Sequence, residues 1–311
     1  MQPLDGPEFR VVELLKDGST VPFPTVDWAD GPAKGEVGLS AVIGIDSTAD
    51  GVVWILDMGS ADAAAQIVAW DTLNNKLFKR IEISKDAMVA NSFLQDFVLD
   101  TKHNQIYIAD TSLGNLYGEP APAFVVVDLA TGKSRRVLQS NKALLSPKHD
   151  VIIDDSLLAA KREDGSVDAL YLGINPITID AEQQWVYFGT VNGSAVYRIP
   201  AAALANGKLT DKELATQIDF YSEKRPSDGM IIDKNNNIYV GDVERNAIGV
   251  IGQDGYKVFA QDDKLLSWAD GFSIQGGYLY VTQNSLHLNP ALNEGEEDAA
   301  KPFHVLRIKL D

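Results

Sequence analysis

Short apolar runs, each closed by a polar residue, recur along the chain in pairs. One pair is Met230-Ile231-Ile232 and Ile238-Tyr239-Val240-Gly241, joined by Asp233-Lys234-Asn235-Asn236-Asn237 and bounded by Asp228 and Asp242. β-branched and aromatic runs around an Asp/Asn turn predict an antiparallel hairpin, in which the start of the first strand and the end of the second share one end. The same unit recurs where Ala41–Asp46 precedes Val53–Asp57, Gln95–Asp100 precedes Ile106–Asp110, Asn175–Asp180 precedes Trp185–Gly189, and Asp270–Gln275 precedes Leu279–Asn284.

The first positions of these units, 41, 95, 175, 228 and 270, lie 54, 80, 53 and 42 residues apart. Repeats of roughly 40 to 50 residues built from short strands predict a β-propeller, one all-β domain spanning residues 1–311. Outer strands are expected at 66–71, 124–128, 195–199 and 247–251, and a last strand at 304–310. The 80-residue interval exceeds its 54-residue neighbour by 26, and residues 149–173 hold the excess. So short a segment cannot supply a four-stranded blade, so an inserted hairpin is expected there. Residues 8–24 offer two strands without a channel-lining hairpin and read as the outer half of a blade. Residues 200–214, with Asp211 as a cap, read as a short helix and linker.

Composition narrows the partners. The chain has 44 acidic against 27 basic residues and a formal charge of −17, which opposes nucleic acid and anionic lipid. It favours cationic molecules or metals near the surface, although a merely solvated acidic surface gives the same balance. No apolar run reaches the length of a membrane span. Cysteine is absent, which excludes disulfides, thiolate metal sites and cysteine nucleophiles. The start, Met1-Gln2-Pro3-Leu4-Asp5-Gly6, has neither a basic nor an apolar region, so no signal peptide is expected in this chain.

Several of these units resemble the major royal jelly/yellow protein family, and more closely its bacterial members: Phe97–Asp100 with Tyr107–Asp110, Pro226-Ser227-Asp228-Gly229, Asn246-Ala247-Ile248, Trp268–Ile274 and Asn284-Ser285-Leu286. The resemblance covers about residues 8–310. It implies a six-bladed propeller, soluble and secreted or periplasmic, with a ligand pocket at one mouth of the central channel. Relatives include dopachrome-converting tautomerases and salivary proteins that bind biogenic amines, while bacterial members have no settled activity. The family's full inner hairpin ahead of residues 8–24 is not evident here, so the first blade is expected to be incomplete.

Aligning the units places Ala41, Gln95, Asn175, Asp228 and Asp270 at first-strand starts, with Asp57, Asp110, Thr190, Asp242 and Gln283–Asn284 at second-strand ends. First strands line a propeller's channel, so these sets predict two concentric polar rings at one mouth. Gln95, Asn175, Asp228 and Asp270 are the candidate ligand residues, and the resemblance adds Asn284. Such a pocket suits a small polar or cationic molecule. Asp and Asn at strand ends also accept backbone N–H bonds, which is the favoured reading for Asp57, Asp110 and Asp242. A tautomerase needs a general base, for which Asp228, Asp270 and His287 are candidates.

The rival is a metal-dependent lactone hydrolase of the gluconolactonase/senescence-marker type. Asn175 and Asp228 fit two of its ligand positions, but its Glu aligns with Ala41, and Glu36 lies five residues upstream on a predicted loop. No cofactor is expected, although calcium or another divalent ion in the channel mouth is compatible with Asn175 and Asp228. His103, His149, His287 and His304 have no metal-ligand spacing. A monomer is expected.

Overall fold

The structure is a computed structural model, and it describes residues 7–31, 37–162, 164–299 and 301–310. Five antiparallel sheets follow one another along the chain, each built in sequence order from its inner strand outward. Blade 1 comprises Val42–Ser47, Val52–Asp57, Gln66–Asp71 and Lys76–Glu82, and blade 2 Leu94–Asp100, Gln105–Asp110, Ala123–Asp128 and Ser134–Val137. Blade 3 comprises Ile174–Ile179, Trp185–Thr190, Ala195–Pro200 and Asp219–Glu223, and blade 4 Met230–Ile232, Ile238–Asp242, Ala247–Gly252 and Gly255–Gln261. Blade 5 has three strands, Ala269–Gln275, Tyr278–Gln283 and His304–Lys309. The first strands lie side by side in blade order, which makes the fold a β-propeller with those strands innermost.

The sequence periods explain the packing. Middle strands are covered on both faces by neighbouring blades and therefore read as continuous apolar runs, as in the wholly buried Gln105–Asp110. Phe97, Leu99 and Ile108 of blade 2 meet Trp54, Leu56 and Ile67 of blade 1. Phe124 and Val126 on the opposite face meet Phe188 and Ile199 of blade 3. Asp57 and Asp110 latch their blades. Asp57 accepts from the backbone N–H groups of Ser40, Ala41 and Gly59 and from Gln66 Nε2. These two aspartates are thus turn acceptors rather than an outer ligand ring.

A sixth blade was the family expectation, but only five blade sheets form among the described residues. The described residues of 7–40 contribute the hairpin Val12–Leu14/Thr20–Pro22, which pairs with no other described strand, and the short helix Val26–Ala29. Val11 and Trp28, with Phe23, pack on Val42, Ile55, Val68 and Trp70 of blade 1, so the segment's apolar surface covers that blade. It provides no strand beside the axis. The far face of blade 5 carries exposed Ser273, Gln275, Val305, Arg307 and Lys309, in alternation with Ile274, Leu306 and Ile308 packed toward blade 4.

Residues 149–173 form two small hairpins where one was expected, Ile152–Ile153/Ser156–Leu157 and Ala159–Lys161/Val167–Ala169. Their apolar side, Val151, Ile153, Leu158, Ala160 and Leu170, packs on Val243, Trp268, Leu286 and Leu292. The insert therefore roofs the end of the propeller where first strands begin and second strands finish. Between blades 3 and 4 lie two short helices, Ala201–Ala205 and Asp211–Ala215. Thr210 caps the second through a capping box with Glu213, leaving Asp211 in the first turn.

Candidate functional site

Register decides what faces the axis. In blades 1, 2, 3 and 5 the pairing of first and second strands shifts by one residue at the same place, between Val42 and Ile45, Leu94 and Asp96, Ile174 and Ile177, and Ala269 and Phe272. A bulge of this kind re-aims side chains and is common beside functional sites. Gln95, Asn175 and Asp270 all lie within these bulges. In blade 4 the ladder begins only at Met230, and Val243 N–H donates to Pro226 as Met58 N–H does to Ala41. Asp228 therefore occupies the equivalent position. The same equivalence makes Ile43, two residues on from Ala41, the counterpart in blade 1.

The following position holds Gly44, Pro176, Gly229 and Gly271 in four blades but Asp96 in blade 2. Sequence reasoning passed over Asp96, although a carboxylate standing where every other repeat has glycine or proline was a legible signal. Glu36 lies outside the described residues.

The structure brings Asn175, Asp228 and Asp270 together. Asp228 is buried and accepts from Asn175 Nδ2 on one oxygen and from Trp268 Nε1, at 2.7 Å, on the other. Trp268 itself sits at φ +54, an uncommon backbone for a bulky residue, fixed by complete burial and this hydrogen bond. Gly229 lets blade 4 approach blade 5 closely, since a Cβ there would lie 2.0 Å from the Asp270 carbonyl oxygen. Gln95 is buried, its Oε1 without a hydrogen-bond partner among the described residues.

The charges of Asp46 and Asp228 act on Asp96, and those of Asp228 and Asp96 act on Asp270. Burial, with the charges of Asp46 and Asp228, pushes Asp96 up to about 7. Burial pushes Asp228 up to about 6, opposed by the Trp268 hydrogen bond and by the Lys224 ammonium. Asp270 is raised well above the usual carboxylate range by burial and by the charges of Asp228 and Asp96. Burial also raises Asp46. The Lys224 charge acts on Asp228; Lys224 is buried, and its ammonium donates to the carbonyls of Thr190, Gly193 and Arg225. Burial lowers its pKa to about 7, against the pull of Asp242 and Asp228.

A carboxyl whose pKa is raised on folding binds a proton that the unfolded chain releases near 3.8. The stability it contributes is complete below that value and is lost as pH rises through the folded-state pKa. Urea unfolding should accordingly show a loss on the order of 2 kcal/mol between pH 5 and 7 that shrinks in Asp96→Asn. An equal slope in both proteins would mean that Asp96 holds no proton in this range.

The remaining candidates fall elsewhere. Asn284 Oδ1 accepts from Leu286 N–H and caps the turn Leu286–Leu288. His287 lies under the insert, its ring stacked on Trp268 at 5.9 Å and 15°, with Trp268 rather than the axial carboxylates against it. Asp242 bonds Tyr256, His103 bonds Asp100, and His149 lies 3.5 Å from Glu244. His304 is exposed on blade 5. Among the described residues no group of three or more His, Cys, Asp or Glu has metal-binding geometry.

The family model for major royal jelly protein matches residues 40–297, which contain all five blades' inner hairpins, the insert and every axial residue. The chain belongs to the major royal jelly protein family. No curated protein matches it. Among solved structures, a gluconolactonase from Xanthomonas campestris is similar with a TM-score of 0.51 at 11% identity, over 88% of this chain and 76% of that one. A luciferin-regenerating enzyme (TM-score 0.49, 14% identity, 86% and 78% covered) and virginiamycin B lyase from Staphylococcus aureus (0.43, 14%, 77% and 76%) are also similar. At such identities these likenesses concern the fold alone.

Proposed function

We propose that this family member binds a small cationic or polyhydroxylated molecule at the axial carboxylates, with Gln95, Asn175, Asp228 and Asp270 as contacts and Asp96 added to them. The observation that carries this reading is geometric: Asn175 and Trp268 both donate to Asp228, and Gly229 brings Asp270 alongside, while burial and neighbouring carboxylate charges raise Asp96 and Asp270. A protonated amine would relieve that crowding while releasing protons to solvent. The same group suits proton transfer, since Asp96 at about 7 and Asp228 at about 6 lie near neutral pH. In a dopachrome-type tautomerisation one carboxylate would take a proton from carbon while a protonated neighbour returns one to oxygen. Export from the cytoplasm goes with this reading; no described helix is long and apolar enough to cross a membrane.

Tyramine in the presence of EDTA is the test. It should raise the midpoint of thermal unfolding, and Asp228→Asn and Asp270→Asn should each lose most of the shift. An undiminished shift in both variants would overturn the reading.

Metal-dependent lactone hydrolysis ranks second, favoured by the direct contact of Asn175 with Asp228. Against it, Ile43 fills the blade 1 position, and both Asp228 oxygens already accept N–H donors. Stabilisation by calcium, abolished by EDTA and accompanied by lactone hydrolysis, would promote it.

A further inference from the structure

The insert and the segment after blade 5's second strand enclose a cavity of about 320 Å³ between them. Its walls include Ile153, Leu158, Leu288 and Leu292, with Ser156, His287, Asn293 and Glu294 as polar members. His287 is only 6% exposed, and neither Nδ1 nor Nε2 has a hydrogen-bond partner among the described residues. Asp154 Oδ2 stands 3.6 Å from Nε2, beyond hydrogen-bond length, and its Oδ1 is engaged by Asn246 at 2.7 Å. Buried imidazoles are almost always paired, so a ring left without partners in a cavity wall points to a missing one.

The occupant's chemistry follows from the wall. Burial holds His287 toward its neutral form despite Asp154. A neutral imidazole offers one donor and one acceptor, which a hydroxyl group can satisfy in turn. Leu157 and Val167 add to the aliphatic wall around His287, while Asn293 and Glu294 add polar groups, and the volume lies at the small end of ligand pockets. Trp268 separates this space from the axial group, since His287 stacks on the ring whose Nε1 bonds Asp228. We propose that the cavity beneath the inserted hairpins is a second ligand site, taking a small neutral molecule with an apolar body and a hydroxyl, with His287 as its hydrogen-bonding partner.

Calorimetric titration with p-cresol and with toluene tests this on the intact chain. We expect p-cresol to bind once per chain, about tenfold more tightly than toluene, the difference that one buried hydrogen bond makes. His287→Phe, which keeps a ring against Trp268, should erase that preference while retaining toluene. Leu157→Trp, at a partly exposed wall position, should weaken both ligands, and Asp270→Asn should leave p-cresol binding intact. Equal affinity for the two probes, absence of binding, or loss of p-cresol in Asp270→Asn but not in the cavity variants would each overturn the assignment. Tyramine shares the p-cresol ring, so the variants tell the sites apart. Asp228→Asn and Asp270→Asn should cost tyramine and not p-cresol, His287→Phe should cost p-cresol and not tyramine, and either reading can fail without the other.

Discussion

Asp110→Ala is expected to cost about 3–5 kcal/mol of unfolding free energy, the largest loss from any single side chain considered. Asp110 is wholly buried and accepts from Phe93 and Ser112 N–H, from Ser92 Oγ and from Arg136 Nη1 at 2.5 Å. Arg136 is itself only 8% exposed, so removing the carboxylate strands a buried guanidinium as well as two backbone donors. The bonds join the loop before blade 2's first strand, the end of its second strand and its outermost strand. Chemical denaturation followed by far-ultraviolet circular dichroism would register the change. A loss under 1 kcal/mol would show that the latch contributes little.

Gly229→Ala should be almost as severe, and it reaches the site. The new methyl group would stand 2.0 Å from the Asp270 carbonyl oxygen and 2.9 Å from its carboxylate, so backbone must move. Overpacking of this kind costs about 1–3 kcal/mol or more. Any relief separates blades 4 and 5 where Asp228 and Asp270 meet. At temperatures where the variant stays folded, its tyramine response should be lost together with part of its stability. A variant that is destabilised yet responds normally to tyramine would mean that the Asp228–Asp270 approach is not needed for binding.

The inner hairpins could be read from sequence because their physics is local. A half-buried strand such as Met230–Ile232, an Asp/Asn turn and a fully covered strand such as Ile238–Asp242 each impose a residue pattern that survives without tertiary information. The meeting of Asn175 with Asp228 followed from the repeat alone. Bulges carry no hydrophobic signature, however, and the pattern left blade 1 two residues out of register, so that Ala41 stood in for Ile43. Asp96 was visible as the one carboxylate among glycines and prolines and was passed over. His287 was legible as a neighbour of the mouth, but its burial depends on the insert folding over it, a contact between segments more than 100 residues apart. Lys224 offered no signal either, since a lysine held by three carbonyls looks in sequence like any surface lysine. The expectation of six blades came from family resemblance, whereas the residues themselves supplied five inner hairpins, and five blades form among the described residues.

The claim on which the rest depends is that the axial carboxylates share protons at neutral pH. Carbon-13 NMR titration of the side-chain carboxyl groups, assigned through Asp96→Asn, Asp228→Asn and Asp270→Asn, measures this directly. At least one resonance in the group should titrate between about pH 6 and 8, and removing Asp228 should move the titrations of Asp96 and Asp270 downward, as the loss of a neighbouring charge requires. If Asp96, Asp228 and Asp270 all titrate below about pH 5 and ignore one another's removal, the carboxylates do not form a common site and the account is wrong.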